Sequence, residues 1–181
     1  MSYTGWKYWL ASVDQDGPIL LSHTMVKTRW TGPHLRADIA STCESCARAR
    51  DAGFDPLMLG MGCAGIYAFT EPYFFSRYGI FNLSLVSPTG GAASGVVFGR
   101  VQLYGSVAIH EVGYRATDAL IMALVMAPHQ QPGMIASETM LPYFERRYQC
   151  EVVIHTGAPS CRCEYCQRKP LFMPESESTN V

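Results

Sequence analysis

Seven cysteines stand in this 181-residue chain, and two groups of them are spaced for chemistry. Cys43-Glu44-Ser45-Cys46 carries one pair, and Cys161-Arg162-Cys163-Glu164-Tyr165-Cys166 carries another, Cys163 and Cys166, at the same spacing. Two intervening residues let both thiolates turn toward one ion, and two such knuckles complete a closed tetrahedral zinc site. The expectation is structural zinc on Cys43, Cys46, Cys163 and Cys166, pinning the end of the chain to the rest, with Cys161 or Cys63 able to replace one ligand. The pairs lie much further apart than in a zinc ribbon, and separate reduced thiols are the plainer alternative. An odd number of cysteines clustered in this way suits a reducing compartment better than a disulfide framework. Cys150, beside a predicted strand, reads as a core residue.

A second constellation is His110-Glu111-Val112-Gly113-Tyr114-Arg115. Arg115 could grip a phosphate or carboxylate, and the His110–Glu111 pair could orient a ligand or move a proton, so His110, Glu111, Tyr114 and Arg115 are the candidate ligand-binding residues. The structural alternative pairs Arg115 with Glu111 across a bend and uses Tyr114 as a packing wedge. A third signal, Gly62 to Phe69, is similar to the Gly-Ile-Tyr strand of ADP-ribosyltransferases. That resemblance implies an enzyme that handles a nicotinamide dinucleotide, with His23 and Tyr67 holding it and Glu111 orienting a ribose hydroxyl. Core packing of Tyr67 and a strand-end position for His23 are the plain alternatives. No Walker loop, dinucleotide glycine fingerprint or His-Glu-x-x-His occurs.

Positioning these residues falls to the stretch from Gly95 to Met126. Its first half alternates, with Val97, Val101, Leu103, Val107 and Ile109 on one face and Arg100, Gln102, Tyr104, Ser106 and His110 on the other. Gly105 inside that run signals a bulge or sharp bend. Beyond Gly113 the apolar residues Ala116, Ala119, Leu120, Ala123 and Leu124 recur at helical spacing, limited by Pro128. The polar cluster is thus predicted where a strand hands over to a helix, whose first amides could hold an anion.

Before this stretch the chain predicts an N-terminal hairpin from Trp6 to Leu21, turning at Asp14 to Pro18. A short helix from about Ala37 to Ala52 should end at Gly53, a strand should follow Gly65, and Glu71-Pro72 should open another short helix. After it, a helix over Met140 to Tyr148 is capped by Thr139, and Glu151 to Ile154 form a last strand. The fold class expected is α+β, with a mostly antiparallel, barrel-like sheet and two or more flanking helices. Residues 1–155 form one domain, and residues 156–181 a Cys-rich segment with a polar, disordered tail.

Composition bounds the function. The chain is 48% hydrophobic and 16% charged, with 14 basic and 15 acidic residues and a net charge of −1, which argues against affinity resting mainly on phosphate neutralisation. A local basic surface remains on Lys27, Arg29, Arg36, Arg48 and Arg50, against Asp38 and Glu44. No apolar run reaches membrane-spanning length, and the opening MSYTGWKYWLASVDQDG lacks the pattern of a secretory leader, so a cytoplasmic protein without a membrane partner is expected.

One likeness covers about residues 5 to 154. Trp30, Cys43, Gly65-Ile66-Tyr67-Ala68 and then Gly99, Val101, Leu103, Gly105, Val107, His110, Glu111, Gly113, Tyr114, Arg115 and Ala116 resemble the pattern of a group of small bacterial and phage proteins of actinobacterial type. Members of that group carry Cys-x-Cys directly before Gly-Ile-Tyr-Ala; here Gly62-Cys63-Ala64 supplies one sulfur. The resemblance implies a bacterial or phage accessory protein and transfers no activity. The reading as a whole is an intracellular, zinc-stapled binding module for a nucleic acid, a small ligand or a protein partner. The alternative is an ADP-ribosyltransferase-like or other nucleotide-handling enzyme using His23, Tyr67 and Glu111.

Overall fold

The computed structural model describes residues 1–22, 28–37, 43–61, 64–71, 96–126 and 141–154. The fold is α+β and dominated by strands. Strands β1 (Tyr3–Asp14), β2 (Gly17–Ser22), β3 (Arg29–Trp30) and β4 (His34–Arg36) precede helix α1 (Glu44–Asp51). Strands β5 (Ile66–Phe69), β6 (Val96–His110) and β7 (Gly113–Met126) follow, then helix α2 (Leu141–Tyr148) and strand β8 (Glu151–Ile154). All eight strands join one mixed sheet, in which the β7–β8 pair is parallel and the other pairs are antiparallel.

The two long strands organise the rest. β7 lies beside β6 along one edge, and along its other edge it meets β5, β4 and β8 in turn. β1 pairs with β6 on one side, and on the other with β2 and, through Trp6 and Phe69, with β5. Backbone pairing therefore runs in a ring from β1 to β6, β7, β5 and back to β1. The face enclosed by this ring carries Trp9, Ala11, Ile66, Ala68, Val97, Val101, Leu103, Ala116, Ala119, Ile121 and Leu124, all buried. From α2, Phe144 and Tyr148 complete this core.

The predicted helix after Gly113 is corrected by β7, which is extended throughout. The apolar spacing that suggests a helix comes from two irregularities. Register shifts fall between Tyr104 and Val107 and between Arg100 and Val101 of β6, opposite the β7 steps from Ala116 to Asp118 and from Ile121 to Ala123. Each irregularity resets which face a residue points to, so buried positions step by three at Ala116 to Ala119 and at Ile121 to Leu124. A period near three then mimics the 3.6 of a helix.

Other expectations meet the coordinates more directly. The N-terminal hairpin is β1–β2, turning at Gln15 and Asp16. The helix expected from about Ala37 to Ala52 is the shorter α1: Ala37 is not helical and its amide donates to Thr117 O, while Cys43 is the N-cap and Ala52 the C-cap. The helix predicted after Glu71-Pro72, and the segment from residue 155 onward, lie outside the described residues. No helix among the described residues is long and apolar enough to cross a membrane.

Candidate functional site

Cys43 and Cys46 come together at the start of α1. Cys43 is extended, and its Sγ accepts the backbone N–H of Cys46 at 3.4 Å, so one thiol caps the helix that carries the other. Cys46 is completely buried. Two of the four sulfurs expected for a zinc site are thus neighbours in the structure. Among the described residues no group of three His, Cys, Asp or Glu side chains converges as a metal site. The remaining proposed ligands, Cys163 and Cys166, and their substitutes Cys161 and Cys63 lie outside the described residues. Cys150 is of another kind: burial, with Glu145 and Glu151 beside it, pushes its thiol up to about 11, which keeps it protonated.

The constellation at residues 110 to 115 sits on a hairpin instead of a strand-to-helix junction. His110 pairs with Gly113, and Glu111 and Val112 make the turn, so no helix terminus is present there to hold an anion. The register Ala108↔Arg115 and His110↔Gly113 puts His110 and Arg115 on one face of the sheet. Tyr114 points to the opposite face, where its ring lies 5.1 Å from that of Tyr3 and packs on the core. Glu111 is exposed in the turn. The four residues are therefore neighbours in the chain that divide between two faces and a turn.

His110 and Arg115 face the segment between α1 and β5. Arg115 Nη1 donates to Ala64 O at 2.9 Å, and its guanidinium stands 5.0 Å from the centre of the Tyr67 ring. That ring and Phe69 lie nearly perpendicular in a T-shaped contact, with centres 4.9 Å apart. A guanidinium over the Tyr67 ring occupies a face that a stacked nicotinamide would use. His23, the third residue of the transferase reading, lies outside the described residues. His110 lies beneath Gly60: a Cβ at Gly60 would come 3.1 Å from His110 Cε1, and φ there is +66°. Among the described residues, His110 Nε2 is buried without a hydrogen-bond partner.

Seated on these side chains, residues 53–61 form a compact turn rich in internal bonds. Leu57 N donates to the Asp55 carboxylate at 2.9 Å, and the amides of Leu59, Gly60 and Met61 donate to the carbonyls of Asp55, Leu57 and Pro56. Leu57 is buried beneath the turn, while Phe54, Met58 and Leu59 are 59%, 63% and 55% exposed. Three large apolar side chains are thus exposed within six residues of one turn. The basic residues are partly committed elsewhere. Arg36 Nε lies 3.8 Å from Asp118, and Arg50 Nε donates to Cys46 O. Arg48 is exposed on α1, Arg29 is in β3, and Lys27 lies outside the described residues.

Sequence reasoning passed over Lys7. It lies in β1 on the enclosed face, between Gly5 and Trp9, and is 6% exposed. Its Nζ donates to Tyr67 O at 3.1 Å. Burial, and then the charge of Arg115, lower it to about 8. The only available signal was the run Trp6-Lys7-Tyr8-Trp9, a lysine among aromatics in a strand, and aromatic residues on both faces hide which side is inward.

Comparison with protein-family models, with curated proteins and with solved structures finds no match for this chain.

Proposed function

We propose that the chain is an intracellular, zinc-stapled protein-binding module whose contact surface is the turn at residues 53–61. The observation that carries this reading is the exposure of Phe54, Met58 and Leu59 on a turn fixed by its own backbone bonds and by Arg115 and His110 beneath it. A preorganised apolar surface loses little entropy on binding, and aromatic residues and methionine are favoured at interface centres. Zinc on Cys43, Cys46, Cys163 and Cys166 would hold α1, and hence the start of the turn, in place. Arg48 and Arg50 in the last turn of α1 border this surface and suit a partner segment with acidic flanks. The ring of strands β1–β6–β7–β5 is read as a small barrel that serves as the platform. Kinship with the actinobacterial-type bacterial and phage proteins belongs to the same proposal, on the Gly-Ile-Tyr-Ala and His-Glu-x-Gly-Tyr-Arg-Ala segments.

The test is a photo-crosslinking residue at position 58, compared with the same residue at exposed position 44. A discrete protein adduct at 58, absent at 44 and lost in Phe54→Ser/Leu59→Ser, supports the reading. Salt-sensitive retention on nucleic acid, weakened by Arg36→Ala and Arg48→Ala with no adduct at 58, would replace it with nucleic-acid recognition.

A further inference from the structure

Lys7 carries an inference independent of the turn and of zinc. Its ammonium is buried on the enclosed face, and its hydrogen bond there is to a backbone carbonyl, Tyr67 O. No carboxylate forms an ion pair with it among the described residues. The groups around it add no negative charge: the Arg115 cation, on the other face of β7, acts on it through space, β5 contributes the Tyr67 carbonyl, and β6 places Gly99 opposite. Two positions along the same face, the Trp9 indole Nε1–H is also buried without an acceptor among the described residues. Desolvating a cation without a counter-charge is costly, and such residues concentrate where an amine has a chemical task. Among the described residues this part of the interior thus holds two under-used donors and no anion.

We propose that Lys7 is a carbon dioxide-binding lysine, carbamylated on Nζ to supply the missing anion. The neutral amine spends one N–H on Tyr67 O and keeps its lone pair. That lone pair attacks the carbon of carbon dioxide; a C–N bond forms, one C=O π bond opens to a carboxylate oxygen, and the surplus N–H proton leaves to solvent. No oxidant or reductant enters. The product is a carbamate whose negative charge lies in the field of Arg115 and whose oxygens supply hydrogen-bond acceptors to this face. Burial selects the reagent, because an uncharged triatomic molecule can reach an amine that larger carbonyl compounds cannot. Burial also keeps the amine partly neutral near physiological pH, where surface lysines are almost fully charged.

The chain has three lysines, Lys7, Lys27 and Lys169, so the other two serve as internal controls. The full-length protein is equilibrated with 13C-labelled carbon dioxide and bicarbonate at fixed carbon dioxide pressure. The carbamate is followed by 13C NMR, and it is located by trapping with a trialkyloxonium salt and peptide mass analysis. The expected result is one carbamate on the Lys7 peptide, increasing with pH across the neutral range and absent from Lys7→Arg. Trapping on the native chain needs no variant to fold. Label only on the N-terminal amine, Lys27 or Lys169, or no label at all, overturns the proposal.

Discussion

Tyr148 ties α2 to two strands through one atom. Its hydroxyl accepts the Leu20 amide at 2.8 Å and donates to Trp30 O at 2.7 Å, all buried. Tyr148→Phe removes a buried partner from both backbone groups and should cost about 2 kcal/mol, read from the denaturant midpoint at unchanged slope. Lys7 acts in the opposite direction. Its folded value, about 8, lies below the unfolded one, so between these limits the unfolded chain binds more protons and stability increases with pH. Below about 8 the buried charge is a constant penalty, and above about 10.5 it is gone. In buffer free of carbon dioxide, Lys7→Met should therefore be more stable than the native chain at pH 7 by up to about 3 kcal/mol, less what the lost hydrogen bond contributes. The advantage should shrink as pH is raised toward 10, and an advantage that does not change with pH would contradict a buried ammonium.

At the scale of elements, the β6–β7 pair shows what spacing can and cannot reveal. The alternation of Val97, Val101 and Leu103 identifies β6, and Gly105 correctly marks a bulge, because both signals depend on local geometry. β7 was illegible because its face assignment is reset by irregularities whose positions depend on the partner strand. At Gly105, φ is +75°, and a Cβ there would overlap Thr117 Oγ1 and Asp118 Oδ2, the pair that lines the bulge. Gly105→Ala should cost more than the roughly 1–2 kcal/mol of left-handed backbone strain, because Thr117 and Asp118 must also move. Gly17→Ala, at φ +107° with open space around it, meets the strain without the overlap and should be milder. Equal losses at the two sites by thermal unfolding would remove the packing argument for the bulge.

For the molecule as a whole, the α+β class, the N-terminal hairpin and the cysteine-bearing helix were readable from turn residues, caps and alternation. The division of His110, Glu111, Tyr114 and Arg115 was not, since nearness in sequence does not reveal whether residues share a face when a strand is taken for a helix. The exposed turn at residues 53–61 was missed for a related reason: exposure of Phe54, Met58 and Leu59 belongs to the packed molecule and leaves no local pattern. The turn follows directly on α1, whose N-cap is Cys43, and the proposed zinc would act through that end. The most direct test is the metal content of purified protein by elemental analysis, with thiols counted on the native chain before and after chelation. The account expects near-stoichiometric zinc, four thiols protected until the metal is removed, and a lower unfolding temperature afterwards. No zinc, with all seven thiols reacting in the native protein, would contradict it.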